Sequence, residues 1–338
     1  MKHRMNTSGN TRRRLVVAMG ATAFTAPIAT LAQQPKIWRV GFLGAGLRPA
    51  ADRPDANIDA FMRGLRELGY VEGRNLHVEW RFAQGRYEQL PALAVDLARS
   101  NCDVLVTYGT AGAQALKAAT QSIPVVIASA IDPVGMGFAA TFARPGGNMT
   151  GLSVMAVELS QKQLDLLRDM VPKLARVAVL VNPGNAGHAA LLKQVQAGAA
   201  IRKYHVVALE ARLPEDIETA FARAKREKAG AIIIAGDAQF ASLGRQIAAA
   251  TLKHRLPSIG IYRSHVAEGA LMSYGQDIAA FHHRAAAYVG KILKGAKPAE
   301  LPIEQPMIIE LFINGKTAKA LGLKIPHSLL ISADKVIE

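Results

Sequence analysis

Two series of short apolar runs, each alternating with helical patterns, predict an α/β protein with two comparable halves. The first series runs from residue 37 to about 130 and the second from about 158 to 321. Pro, Gly and Asn at 144–150 (RPGGNMT) mark a loop or domain crossing between them. Strands that alternate with helices form parallel sheets through right-handed crossovers. The length of 338 residues also suits two domains of roughly 100–200 residues each.

The elements of the first half follow from apolar spacing. Residues 76–80 (LHVEW) alternate with a period of two, as in a strand with one wetter face. Apolar residues between Ile58 and Leu68 recur at helical spacing and stop at Gly69. Strands are predicted at 38–43, 76–80, 103–108 and 123–128, and helices at 58–68, 87–100 and 111–120.

The second half repeats this pattern. Its strands are short and rich in Val and Ile, as in 231–235 (AIIIA), and its helices are longer and amphipathic. Strands are predicted at 177–181, 204–208, 231–235, 257–261 and 271–274, with an apolar stretch at 307–313. Helices are predicted at 158–170, 186–200, 214–227, 241–254, 278–293 and 316–321.

The first 34 residues predict an export signal. They carry five bases and no acid, and an apolar stretch at 15–31 precedes small residues and Gln33. Residues 11–15 (TRRRL) also fit a twin-arginine pattern. The alternative is an uncleaved membrane anchor, for which about 17 residues with Pro27 are short. Cleavage near Ala32 and a periplasmic location are therefore expected.

The remaining charge gives no sign of nucleic-acid binding. Without the signal the formal charge falls from +15 to +10, and the bases are mixed with acids, as in 225–228 (KREK). Such runs are typical of solvated helix faces. The single cysteine, Cys102, excludes an internal disulfide framework and a Cys-based zinc cluster.

Candidate ligand contacts follow the strands, because ligands of open parallel sheets bind beyond the carboxyl ends of the strands. Gly109, Thr110 and Ala111 open a helix whose free N–H groups suit a carboxylate or a phosphate. Thr110 is equally well explained as a cap of that helix. Ser129 and Ala130 follow the next strand and lie in the same predicted edge.

One acid follows a strand in each half. Asp132 and Asp237 are both candidates for a ligand ammonium group, although Asp132 precedes Pro133 and is also typical of a turn. Phe42, Tyr262 and Tyr274 lie near strand ends and suit the wall of a flat apolar site. Each of these rings is also a candidate core residue.

Searches for catalytic motifs favour a binding protein over an enzyme, with no cofactor and no metal. The chain contains no GxxxxGK[ST], GxSxG or HExxH motif. Gly44-Ala45-Gly46 is only a partial dinucleotide motif, because Pro49 replaces its final Gly. His282 and His283 are adjacent in a predicted helix and point to different faces. The alternatives are an exported dinucleotide-dependent oxidoreductase and a ligand-sensing domain on the same fold.

Several long segments are distinctive. They are 64–76 (GLRELGYVEGRNL), 119–126, 132–135 (DPVG), 143–152 (ARPGGNMTGL), 271–275 (LMSYG), 292–298 (ILKGAKP) and 314–323 (NGKTAKALGL). Together they resemble one family, the ABC-transporter substrate-binding proteins of the tryptophan/tyrosine-binding type, and the resemblance covers about residues 36–338. The loop at 45–54 is variable in the family, so the identity of the ligand is not inherited. Gly315 also departs from the usual Leu.

The resemblance implies a type I periplasmic-binding-protein fold, with two Rossmann-like lobes joined by a hinge. The first lobe would comprise residues 35–152 plus about 277–305, and the second 153–276 plus about 306–338. Such proteins deliver a small ligand, here an aromatic or branched amino acid, to an ABC permease in the inner membrane and so indirectly to its ATPase. The loop matching Gly109, Thr110 and Ala111 would take the ligand carboxylate. Residues 129–132 would contact the amino-acid backbone, and Asp237 the ammonium group.

Overall fold

The computed structural model describes residues 36–51 and 54–338. The predicted export signal at 1–34 lies outside these residues. Residues 37–338 form one compact unit that contains two sheets, which confirms the α/β prediction. None of the helices in the described residues combines the length and the hydropathy that a membrane span requires.

The first sheet has five parallel strands in the order β2-β1-β3-β4-β5. The helices α1, α2, α3 and α10 accompany it. The strands are β1 (Trp38–Gly44), β2 (Leu76–Phe82), β3 (Val104–Thr107), β4 (Val125–Ile131) and β5 (Met149–Val154), and the helices are α1 (Ala56–Glu67), α2 (Leu90–Arg99), α3 (Thr110–Ala119) and α10 (Ile278–Leu293).

The second sheet has seven strands in the order β12-β11-β10-β9-β8-β6-β7, and every pair is parallel except β10 with β11. Its strands are β6 (Arg176–Val181), β7 (His205–Glu210), β8 (Ala231–Ile234), β9 (Ser258–Gly260), β10 (Met272–Gly275), β11 (Glu310–Asn314) and β12 (Lys335–Ile337). Its helices are α4 (Ala156–Met170), α5 (Gly187–Ile201), α6 (Asp216–Arg226), α7 (Ala238–Ser242), α8 (Gly244–Lys253), α9 (Arg263–Ala267), α11 (Gly315–Leu321) and α12 (His327–Ser332).

The local sequence explains where α1 begins and which of its faces is buried. Asp55 caps α1 by accepting hydrogen bonds from the amides of Asn57 and Ile58. The apolar face of α1, which includes Phe61 and Leu65, is buried, and the helix packs against α10. Although α10 follows the strands of the second sheet in the sequence, it therefore belongs to the core of the first half.

The chain crosses between the two halves at three places in the described residues. It leaves the first sheet after β5, returns between β10 and α10, and leaves again between Glu304 and β11. Leu152 and Glu304 form a parallel bridge, which places two of these crossings side by side. Three adjacent strand-like connections are a suitable hinge between two rigid bodies.

The structure contains α9, α12 and β12, which were not predicted, and it differs from the sequence prediction at three further places. Residues 149–154, which begin inside the predicted loop, form the buried strand β5, where Gly151 lets the main chain approach Ile127 closely. The helix expected at 241–254 divides into α7 and α8, because Asp237 starts a new helical turn earlier in the chain. The helix expected at 87–100 begins with a 3₁₀ turn at Tyr87–Gln89.

Candidate ligand-binding site

The carboxyl ends of the two sheets face each other. In each sheet the strand order reverses direction once, between β1 and β3 in the first and between β6 and β8 in the second. Such switch points are where open sheets bind ligands. The loops that leave these four strands carry Gly46, Gly109, Asn182 and Asp237, so the two switch points together form one candidate site.

The two halves touch through main-chain atoms and small side chains at this site. A Cβ atom at Gly46 would lie 2.6 Å from the carbonyl oxygen of Ala238, and one at Gly109 would lie 3.2 Å from the Ala238 Cβ. We call these three residues the seam. Gly46, which belongs to the partial dinucleotide motif of the sequence, therefore lies against Ala238 in the described structure.

A small cavity lies behind the seam. Its wall includes Thr110, Ser129 and Ala130 from the first half, and Gly236, Asp237 and Tyr262 from the second. The space open to the centre of a water-sized sphere is about 20 Å³, enough for about one water molecule. A larger adjoining cavity of about 440 Å³ shares Asn57, Tyr262 and Ile278 with it.

The first half supplies hydrogen-bond donors to the small cavity. Helix α3 begins after Gly109, whose φ of +79° suits glycine, and within the described residues no side chain caps this N-terminus. The amide of Ile131 donates to Thr110 Oγ1 (3.2 Å), which leaves the Thr110 hydroxyl proton free to donate. The Ser129 side chain has no hydrogen-bond partner in residues 36–51 and 54–338, although Ser129 is only 8% exposed. These groups suit an anionic ligand atom.

The second half supplies a buried carboxylate that is already hydrogen-bonded. Asp237 caps α7 through its Oδ1 atom, which accepts from the amide of Gln239 (3.0 Å). Oδ1 also accepts from the Tyr87 hydroxyl (2.8 Å), and Oδ2 accepts from Asn185 Nδ2 (2.9 Å). The Asp237 side chain is 0% exposed. Protein donors therefore enclose the charge of this carboxylate on both oxygens.

Two tyrosines complete the wall. Burial, with smaller contributions from Asp237 and other nearby groups, raises the pKa of both Tyr108 and Tyr262, so both phenols stay protonated at neutral pH. The Tyr262 hydroxyl donates to the main-chain oxygen of Asp237 (3.0 Å). Both rings therefore lie in the wall as neutral hydrogen-bonding groups.

Two features of the described residues concern metal binding and thiol chemistry. They contain no group of three or more His, Cys, Asp and Glu side chains arranged to hold a metal ion. Cys102 is buried, and burial raises the pKa of its thiol to about 11, which makes it a poor nucleophile.

Comparison with known families decides what kind of protein this is. Residues 12–337 match the family described as ABC transporter substrate binding protein. The chain belongs to this family. A curated relative, the tyrosine-binding protein of Clostridioides difficile (strain R20291), is 24% identical over 294 residues, which is 86% of this chain and 83% of the relative.

Two solved structures share the fold of this family member. The ABC domain of Streptococcus pneumonia in complex with L-Trp is 24% identical, with 89% of this chain and 100% of that chain covered and a TM-score of 0.79. The ligand-free, open structure of a substrate-binding protein with adhesive properties from Clostridium difficile is 23% identical, with 89% and 99% covered and a TM-score of 0.58. Both likenesses show the fold of this chain.

The structure places six of the ten predicted site residues of this family member in the wall of the small cavity. They are Gly109, Thr110, Ser129, Ala130, Asp237 and Tyr262. The other four, Ala111, Asp132, Phe42 and Tyr274, are not among its lining residues.

Local contacts explain two of these four positions. Asp132 is exposed, and its Oδ1 accepts from the amide of Gly135 (2.8 Å), as in the turn that the sequence also allowed. Phe42 is fully buried and packs on Phe61 and Trp80. Its ring therefore belongs to the core of the first half.

Two residues at the site were missed by sequence reasoning. Asn57, near the start of α1, lines both cavities. Tyr87 lies in the loop after β2, and its hydroxyl reaches Asp237. The rule that selected residues after strands would have found Tyr87 if it had been applied to β2. Asn57 had no such signal, because the loop between β1 and α1 is long.

Proposed function

We propose that this protein is the solute-binding component of an ABC importer and that it captures an amino acid between its two halves. The family supports a transport role, and the relatives that bind tyrosine and L-Trp support an aromatic amino acid as the ligand class. Further parts of the proposal are export by the N-terminal signal, a periplasmic location, and delivery to an ABC permease powered by its ATPase.

The observation that carries the proposed site is the unpartnered Ser129 hydroxyl beside the N-terminus of α3. A ligand carboxylate placed there would accept from Ser129, from the Thr110 hydroxyl and from free amides of the helix. For the ammonium group the wall offers the Asn57 side chain, which has no hydrogen-bond partner in the described part of the chain. We propose that Asp237, the nearest buried negative charge, favours the ligand ammonium group electrostatically.

The volumes support movement of the two halves. A group about the size of a water molecule fits the small cavity, so we propose that the ligand enters when the halves are apart and that only its carboxylate lies in the small cavity. We propose that the ligand side chain extends into the adjoining cavity of about 440 Å³, whose wall includes Phe312 and Ile278. The ligand would touch both halves only after closure, and these contacts would stabilise the closed form that the permease recognises.

A thermal-shift screen of the mature chain against amino acids and aromatic acids tests the ligand class. A ligand at 100 times its Kd stabilises the protein by about 2.7 kcal/mol, which raises Tm by several degrees. We expect L-tyrosine or L-tryptophan among the strongest responses. The absence of a shift with every amino acid would overturn the proposal.

The carboxylate site is tested by Ser129→Ala. Because the Ser129 hydroxyl has no protein partner in the described residues, we expect an unchanged Tm without ligand and affinity about tenfold weaker by calorimetry. Ser122→Ala removes an exposed hydroxyl in the loop after α3 and is the matched control. Equal affinities of Ser129→Ala and Ser122→Ala would exclude the proposed carboxylate site.

A further inference from the structure

The loop after β2 reaches across the cleft from the first half. It is anchored to the end of β1, since the amide of Ala83 donates to the oxygen of Gly44 (2.9 Å) and the amide of Gly85 to the oxygen of Ala45 (2.9 Å). At its end, Tyr87 donates its hydroxyl proton to Asp237 Oδ1 (2.8 Å) in the second half. The loop therefore moves with the first half while it is hydrogen-bonded to the second.

The second half orients the acceptor. Asn185 Nδ2 holds Oδ2 of Asp237 at 2.9 Å, and the amide of Gln239 holds Oδ1 at 3.0 Å. Among the described residues, Tyr87 is the one member of the first half that donates to this carboxylate. Its hydrogen bond is thus the part of the network that is broken when the halves separate.

The surroundings of Tyr87 are shaped for a close fit. A Cβ atom at Gly184 would lie 3.0 Å from Cδ2 of the Tyr87 ring, and one at Gly85 would lie 2.9 Å from Nε2 of Gln239. Glycine at both positions lets the loop of one half seat against the other. Burial, with the added effect of Asp237, raises the pKa of the Tyr87 phenol well above its usual value, so it remains a donor throughout the neutral range.

We infer that Tyr87 is a positioning residue whose hydrogen bond to Asp237 acts as a latch for the closed form, so that Tyr87 controls ligand affinity without touching the ligand. This inference deepens the proposed function and rests on it. The latch lowers the free energy of the closed form whether or not ligand is present, and the apparent affinity rises with the population of that form.

Tyr87→Phe tests the latch, because it removes one oxygen atom and keeps the ring against Gly184. Since a hydrogen bond to a charged group is lost, we expect affinity for L-tyrosine or L-tryptophan to fall about tenfold. The ligand enters the open form, so the loss should appear as faster dissociation, while the larger open population should leave the association rate equal to or above that of the wild type. Stopped-flow fluorescence measures both rates.

A direct measure of closure separates a latch from a ligand contact. Spin labels on cysteines introduced at the exposed positions Gln114 on α3 and Lys193 on α5 report the distance between the halves, while the native Cys102 is buried and unreactive. We expect Tyr87→Phe to shift this distance distribution towards the open form, both without ligand and at intermediate ligand concentrations. Ser129→Ala should leave the ligand-free distribution as it is.

The matched control is Tyr288→Phe. The Tyr288 hydroxyl donates to the oxygen of Pro302 (2.6 Å) within the first half, so its loss should lower Tm without changing the distances or the affinity. If Tyr87→Phe binds and closes like the wild type, the latch is refuted and the proposed function stands. If the wild type binds no amino acid while Tyr87→Phe still opens the protein, the proposed function fails and the latch is supported.

Discussion

Gly46→Ala adds one methyl group to the seam and should weaken ligand binding by opposing closure. The added Cβ atom would lie 2.6 Å from the Ala238 carbonyl oxygen and 3.0 Å from Ser242 Oγ, both in the second half. Because the carbonyl belongs to the main chain, it cannot rotate away as a flexible side chain can. Ordinary contact begins at 3.4 Å, so the halves must separate by about 0.8 Å at this point.

Overpacking of this kind costs about 1–3 kcal/mol, which corresponds to a loss of affinity of roughly 5- to 150-fold. In the open form the methyl group has no contact with Ala238, so we expect the Tm of the ligand-free protein to change little. Calorimetry with L-tyrosine or L-tryptophan measures the affinity, and thermal unfolding without ligand measures the Tm.

Gly147→Ala is the control for the general effect of replacing glycine. A Cβ atom at Gly147 would have no neighbour within 4 Å, and the φ of Gly147 is outside the left-handed region. Affinity of Gly147→Ala should equal that of the wild type. If Gly46→Ala also binds as tightly as the wild type, the seam does not limit closure and the reasoning is wrong.

Two further predictions concern stability and pH. Burial lowers the pKa of His265 to about 4 in the folded state, below the unfolded value of about 6.5. Because the unfolded chain then takes up the proton first, the free energy of unfolding should fall by up to about 3 kcal/mol as the pH drops from 6.5 to 4. Urea unfolding across that pH range should show that the free energy of unfolding of His265→Gln depends less on pH than that of the wild type. An equal pH dependence would contradict the role given to His265. Arg202 donates to both oxygens of Asp165 (2.9 and 2.8 Å) and lowers the pKa of that carboxyl. The pair therefore stabilises the folded protein above about pH 4, and this stabilisation is lost as Asp165 is protonated. Arg202→Lys should therefore lower the free energy of unfolding by about 1 kcal/mol at pH 7 and by less at pH 3. If wild type and variant differ by the same amount at both pH values, the Arg202–Asp165 pair does not have this role.

Most strands and helices could be predicted from the sequence, because buried strands and amphipathic helices have different periods, but β5, α9, α12 and β12 could not. Gly109 and Thr110 could be placed at the sheet edge for the same reason, since they directly follow β3. The partner of a side chain could not be predicted. Asp132 and Asp237 look alike in the sequence, yet Asp132 accepts from its own turn, whereas Asp237 accepts from Tyr87, Asn185 and Gln239.

Contacts between distant segments explain what the sequence did not reveal. Tyr87 is 150 positions from Asp237, and nothing local marks it as the donor for that carboxylate. Strand β5 was missed because Gly151 weakens its pattern, while its burial comes from β4 and the crossing at Glu304. Both features depend on which strands become neighbours, and no periodicity within a segment encodes that choice.

The seam has a consequence for how such proteins diversify. Gly46, Gly109 and Ala238 meet through main-chain atoms and a single methyl group, so the fit between the halves depends on residue volume and not on side-chain chemistry. Gly109 and Ala238 also line the small cavity, whereas Asn57, Thr110 and Ser129 line it without belonging to the seam. Substitutions at these last three positions can therefore change the chemistry offered to a ligand while the contact between the halves at the seam is preserved.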